Sequence, residues 1–335
     1  MKNMDSDERK EEIKAVFRED ELAPVVLFTY NRLEHTKKTV EALQQNVLAD
    51  GTKLFIYSDA PKNDAAQDSV DAVREYLHGI TGFKKIEIIE RKENWGLARN
   101  IIDGVTKIVN EYGKIIVLED DIVTSRYFLQ YMNDALRIYE KESKVMAISG
   151  YCWGKDKTDL PETFFLRWFS CWGWATWKDD WDKFERNPEK LVRDHNMAKD
   201  VYYNIKLSGK QSFWHQVEAN VTGDLYTWAI FFYTAIWLNE GLVLYCHEKM
   251  CLNVGMDGSG EHCGDDDGVY GGKLRDKAVM EFTEDLWASP VAEEAVYEFF
   301  RCLKRQSRLD VRIKKVYKNE GWRGVLKKVK SKLTR

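Results

Sequence analysis

The sequence predicts an α/β fold, a mostly parallel sheet flanked by helices, and three observations predict it. Short β-branched and aromatic runs alternate with amphipathic stretches of about 10 to 15 residues through the first 150 positions. Polar or acidic residues cluster where the apolar runs stop. The 335 residues are 44% hydrophobic and 13% aromatic with only 5 Pro, enough apolar side chain to bury a sizeable core, which excludes a disordered or collagen-like chain.

Taken in order, residues 1–22 are charged and helically periodic and read as a helical lead-in outside the core. PVVLFTY, 24–30, predicts a strand that stops at Asn31-Arg32, and apolar residues at helical intervals predict a helix over 33–46. KLFIYS, 53–58, predicts a second strand ending at Asp59, followed by a helix around 65–77. A third strand is expected at 85–90, a third helix at 97–112, and a fourth strand at 114–118 that runs into Glu119-Asp120-Asp121. A helix over 125–140 then leads to a strand at 145–149. Such βαβ units put ligands beyond the carboxyl ends of the strands, so 23–150 reads as the ligand-binding half.

Beyond Gly150 the regularity fades. Nine of the twelve Trp crowd into 151–240, and NVGMDGSGEHCGDDDGVYGG, 253–272, reads as loop, so 151–300 is expected to form an aromatic-rich second half. The longest apolar run, Leu225 to Leu238, is shorter than the ~20 residues of a membrane span. No signal-peptide pattern opens the chain, and a cytoplasmic protein is the expectation. The six cysteines form no CxxC pair, so they read as reduced, mostly buried thiols rather than a zinc site.

The net charge of -4 argues against a nucleic-acid partner. Residues 301–335 nevertheless carry 14 Lys and Arg against Asp310 and Glu320, a local +12. There Trp322, Val325, Leu326, Val329 and Leu333 fall on one helical face. This basic amphipathic tail has two readings: attachment to an anionic membrane surface, or a solvated terminal helix.

The acidic triplet is the first chemical signal. In an extended chain Glu119 and Asp121 share a side and Asp120 faces the other, so one side can hold a hard cation such as Mn²⁺ or Mg²⁺ and the other can grip hydroxyls. The plain alternative is a helix-capping acid. APVVLFTYNR, YSD, NWGLARNIIDG and KIIVLEDDIVTSRYFLQYM together resemble, in order and spacing, the nucleotide-sugar-binding half of GT-A glycosyltransferases over residues 24–150. The EDD motif resembles that of the N-acetylglucosaminyltransferase I-like branch, and DGSGEHC resembles segments of bacterial sugar transferases.

The resemblance implies a GT-A-like, Rossmann-type sheet. It implies that Thr29, Tyr30 and Arg32 contact the nucleotide of a UDP-sugar donor and that Asp59 binds uracil or ribose. Asn94, Gly96, Arg99 and Asn100 match the family pattern around the third helix, where a helix N-terminus favours a diphosphate. It assigns the metal to Asp121, leaves sugar and ribose to Glu119 and Asp120, and makes His262 a second metal ligand or pyrophosphate contact. Gly258, Gly260, Gly264 and Gly268 suggest a loop that orders over the donor.

The general base is expected beside a Trp in the second half. Ala229 stands where relatives place an acid after the Trp, so Asp224 is the nominee, with Asp179, Asp180 and Glu218 as competitors. Trp172, Gly173 and Trp174 suit an acceptor sugar, since indole stacks on C–H faces, although most of the nine Trp read as core. The expected activity is inverting transfer to a glycan or lipid-linked saccharide in surface polysaccharide synthesis. A nucleotidyltransferase would need a glycine-rich phosphate loop after the first strand, which TYNRLEHTKK lacks. A binding module with a degenerate site is the non-enzymatic alternative.

Overall fold

The computed structural model describes residues 22–154, 160–193, 214–257 and 270–307. The lead-in before Leu22, His262 with its glycine loop and the tail after Ser307 lie outside the described residues.

Strands β1 (Val25–Thr29), β2 (Lys53–Ser58), β3 (Lys85–Glu90) and β4 (Lys114–Glu119) form one parallel block. Helices α1 (Leu33–Gln44), α2 (Gln67–His78) and α3 (Leu97–Tyr112) connect them, as the sequence periodicity requires. Strand β6 (Val145–Ser149), β7 (Thr163–Leu166), β8 (Trp174–Trp177) and β9 (Leu242–Cys246) extend the same sheet in the order β3-β2-β1-β4-β8-β6-β9-β7. β8 is antiparallel to β4 and β6, β9 is parallel to β6, and β7 closes the far side antiparallel to β9. The carboxyl ends of six strands therefore share one edge with the first residues of β7 and β8.

Both faces of the sheet are covered, which explains why β1 is buried at all five positions instead of alternating. Val26, Phe28 and Tyr57 pack under α3, whereas Val25, Leu27 and Ile56 pack under α1 and α4 (Phe128–Ile138). Gly104 lets α3 lie close to the sheet: a Cβ there would stand 2.8 Å from the Phe28 ring. The first face continues under α5 (Lys178–Trp181), α6 (Pro188–Arg193), α7 (Trp214–Thr222), α8 (Ala229–Leu238) and α9 (Pro290–Ser307). α8 is apolar around nearly its whole circumference and is buried accordingly.

Two local expectations differ. The helix predicted over 125–140 begins only at Phe128, because Ile122–Thr124 forms a short strand, β5, antiparallel to β10 (Cys251–Asn253). That pairing joins residues more than 120 positions apart and leaves no local trace. Seven of the nine clustered Trp are buried, and Trp153 and Trp172 are partly exposed, so this segment is chiefly core.

Candidate active site

Three consecutive carboxylates end β4, beside the end of β1. The expected alternation fails there: β4 stops at Glu119 and the chain turns, so Asp120 and Asp121 converge on one guanidinium instead of facing opposite ways. Arg32, at the turn after β1, donates from Nη2 to Asp120 Oδ1 and at 2.8 Å to Asp121 Oδ2, and from Nε at 3.4 Å to Asp120 Oδ2. Thr39 of α1 fixes the same turn by donating to the Asp120 carbonyl at 2.9 Å.

A second strand pair closes on this corner. β10 lies against β5, Val254 N donates to the Asp121 carbonyl at 2.9 Å, and Asn253 Nδ2 reaches Asp121 Oδ1 at 3.4 Å. Gly255 follows, and a Cβ there would overlap the Asp121 carboxylate and Arg32 Nη1. His35 in the first turn of α1 meets Asp257 at 3.2 Å, tying α1 to the segment that leads into the glycine loop. Arg32 was expected; Gly255, Asn253 and His35 were not, because each is brought in by tertiary pairing.

The electrostatics follow from one cation among three acids. Burial, and then the charges of Asp121 and Asp120, push the Glu119 carboxyl up to about 8. Burial likewise raises Asp120, opposed by Arg32. Against its own desolvation, Arg32 is held above its ordinary value by Asp120 and Asp121. With all three acids ionised, one guanidinium leaves two negative charges uncompensated, and the donor atoms are hard oxygens. Such oxygens are the donor class that a divalent Mn²⁺ or Mg²⁺ ion prefers. Among the described residues no cluster of three His, Cys, Asp or Glu side chains is already shaped as a metal site, including Cys246, His247 and Cys251.

The remaining donor-side residues divide into two groups. Thr29, 5% exposed, keeps a buried hydroxyl with no hydrogen-bond partner, and Arg32 Nη1 is likewise unpartnered, so two polar atoms stand unsatisfied at this corner. Tyr30 lies one residue on, its hydroxyl accepting from Lys62 N at 3.1 Å. Asp59 is engaged within the protein. Its Oδ1 accepts from Ala60 N and Trp95 N, both at 2.9 Å, and its Oδ2 accepts from Gly96 N at 2.8 Å and Asn94 Nδ2 at 3.1 Å. Four donors match the acceptor capacity of a carboxylate, so Asp59 clamps the loop before α3.

Asn94 and Asn100 are engaged in the same way. Asn94 Nδ2 also donates to Ala60 O at 2.7 Å, while buried Asn100 accepts from Arg91 Nε at 2.8 Å and donates to Gly96 O at 3.1 Å. Both build the loop before α3. Gly96 adopts φ 71° at the start of α3, a conformation side chains rarely take. Arg99 is exposed, stacked 4.1 Å over Trp95, which Arg91 covers at 3.8 Å.

On the acceptor side, Trp174 is 0% exposed and stacks on Trp228 at 5.2 Å, so it is core and cannot meet a sugar. Gly173 does permit close approach, with φ 60°, and the groups it admits are Cys251 Sγ and the Phe128 ring. Trp172 alone of the three keeps partly exposed surface, between Tyr151 and Tyr270. Asp224 is an exposed turn residue whose Oδ2 accepts from Thr222 Oγ1 at 2.6 Å. Trp228, just before α8, stacks on Trp174 at the start of β8, which places the start of α8 and the Asp224 turn toward the carboxylate edge, and α8 then leads to the start of β9. Asp179 and Asp180 follow β8 at the opposite edge, where Trp177 pairs with Lys114, and so drop out as bases.

Comparison with known proteins agrees with this architecture. Residues 25–204 match glycosyl transferase family 2. No curated protein sequence matches. Similar solved structures include TarS of S. aureus, 10% identical with a TM-score of 0.33 over 52% of this chain and 30% of that one. Others are a UDP-glucose pyrophosphorylase complexed with UDP-glucose (10%, TM-score 0.36, 68% and 91% covered) and 4-diphosphocytidyl-2C-methyl-D-erythritol synthase from Anaerococcus prevotii (9%, 0.30, 52% and 82%). The chain thus spans under a third of the length of TarS. Over half of its residues, including β1 through β4 and the acidic turn, fall within the family match, and the chain belongs to glycosyl transferase family 2.

Proposed function

We propose that the protein transfers a sugar from a UDP-sugar to a saccharide acceptor with the help of Mn²⁺ or Mg²⁺. The observation that carries this reading is the turn after β4, where Asp120 and Asp121, next to Glu119, share one guanidinium beside two unsatisfied polar atoms, Thr29 Oγ1 and Arg32 Nη1. Asp121, with Asp120 or Glu119, would hold the ion, and His262 is the nominee from outside the described residues. The ion, when bound, would neutralise charge on the leaving diphosphate.

The chain's own groups supply the rest. Arg32 adds a second positive charge at that corner, and the N-terminus of α3, opened by Gly96, presents backbone N–H groups on the same edge. In an inverting transfer the acceptor oxygen forms the new bond to the anomeric carbon as the bond to UDP breaks, and the hydroxyl proton passes to a carboxylate. Asp224, on the same edge and exposed, is our nominee for that base. Ala229 in place of an acid beside Trp228 favours the second reading, a binding module without turnover.

We further propose, on the EDD motif, the N-acetylglucosaminyltransferase I-like branch, and on the +12 tail, a glycan or lipid-linked acceptor met at an anionic membrane surface in surface polysaccharide synthesis. No described helix is long and apolar enough to cross a membrane. A thermal-shift screen of UDP-sugars with and without Mn²⁺ tests the donor assignment. A metal-dependent rise confined to uridine compounds supports it, and no rise with any of them removes it. UDP release with saccharide present separates transfer from binding alone.

A further inference from the structure

Two aromatic side chains among the described residues expose more than half of their surface: Tyr226 at 56% and Trp287 at 60%. Ala288 bridges Phe165 in parallel, and Ser289 N donates to Phe165 O at 2.8 Å, which places Trp287 beside β7, the outermost strand of the sheet and four strands from β4. Tyr226 sits in the turn between α7 and α8, two residues before Trp228, which stacks on Trp174 at the start of β8 on the carboxylate edge.

That turn is braced from within. Asn220 Oδ1 accepts from Thr227 N at 3.0 Å and from Arg186 Nη2 at 2.6 Å, and its Nδ2 donates to Thr227 Oγ1 at 2.9 Å. Arg186 Nε donates to Thr227 O at 3.1 Å, which fixes the guanidinium with its centre 3.6 Å over the Tyr226 ring. One face of the ring is thus held by a locked cation, while the residue keeps 56% of its surface exposed. An aromatic exposed this far ordinarily gains rotamer freedom; this one is immobilised beforehand, so stacking on it has little ordering cost. Two residues away, Asp224 presents a carboxylate able to accept from hydroxyls. Ring and carboxylate together match a pyranose, which shows a C–H face and equatorial hydroxyls.

We propose that Tyr226, backed by Arg186, is a stacking platform for the acceptor saccharide. This deepens the transfer reading and rests on it for the identity of the occupant. The platform replaces the Trp174 surface that the fold buries.

Saturation-transfer-difference NMR on the full chain tests it with three probes: methyl β-D-glucopyranoside, methyl β-D-galactopyranoside and methyl N-acetyl-β-D-glucosaminide. The expected result is transfer to the H1, H3 and H5 face of at least one probe in the wild type, weakened about 3- to 10-fold in Tyr226→Ala and kept in Tyr226→Phe. Trp287→Ala serves as the control and leaves the signal unchanged. Equal transfer in Tyr226→Ala, or none from any probe in the wild type, overturns the platform. UDP thermal shifts on the same variants keep the readings apart. A lost glycoside signal with an intact UDP response convicts the platform alone, whereas an absent UDP response in the wild type convicts the donor reading.

Discussion

Asp59→Asn separates a structural clamp from a nucleotide contact. In the wild type each carboxylate oxygen accepts two donors, Ala60 N and Trp95 N on one, Gly96 N and Asn94 Nδ2 on the other. An amide has one oxygen, so either orientation turns its NH₂ toward two N–H groups that then lose their acceptor. Two hydrogen bonds to a charged group at about 1.5–3 kcal/mol each would give about 3–6 kcal/mol. Asn94 is exposed and Trp95 and Gly96 are half-buried, so water recovers part of this and about 3 kcal/mol is expected. At roughly 2 °C per kcal/mol for a chain of this size, the midpoint falls about 6 °C. Urea unfolding at pH 7.5 without nucleotide reads the loss directly. A variant within about 1 kcal/mol of wild type that has lost UDP binding would refute the clamp and restore Asp59 to the nucleotide.

Other expectations follow from the same corner and from the core. Trp174→Ala removes a fully buried indole and should cost about 3–5 kcal/mol in urea unfolding, leaving acceptor KM unaltered in whatever fraction stays folded. Arg32→Met strands Asp120 and Asp121 without their counter-ion, costing about 3 kcal/mol at pH 7.5 in chelator; acidification to pH 5 should return part of it, because the stranded acids take up protons. Glu119 carries the opposite sign from an ordinary ion-paired acid. Its folded-state value of about 8 lies above the unfolded 4.5, so the native state holds the extra proton between them, and metal-free stability falls as pH rises through that window. Glu119→Gln should flatten this slope, visible in chelator as unfolding midpoints compared at pH 5 and 8.5.

The sequence by itself determined the βαβ half. Periodicity bounded β2, β3, α3 and β6 at their observed residues, and the polar ends of the apolar runs named the edge where the acids gather. It could do so because strand and helix periods, and the residues that end them, are local properties of the chain. It also identified Arg32 and the acidic triplet as neighbours of one site. Only the tertiary structure decided what those side chains do. That the loop 94–96 closes on both Asp59 oxygens is visible only in the fold, and Trp174 looks like a sugar platform until β8 is inserted between β4 and β6 and turns it onto Trp228. Gly255 gains its role from β10 pairing with β5, and Tyr226 its fixed ring from Arg186 some 40 residues earlier. Burial and hydrogen-bond saturation belong to contacts distant along the chain, and a residue's neighbours in sequence carry no record of them.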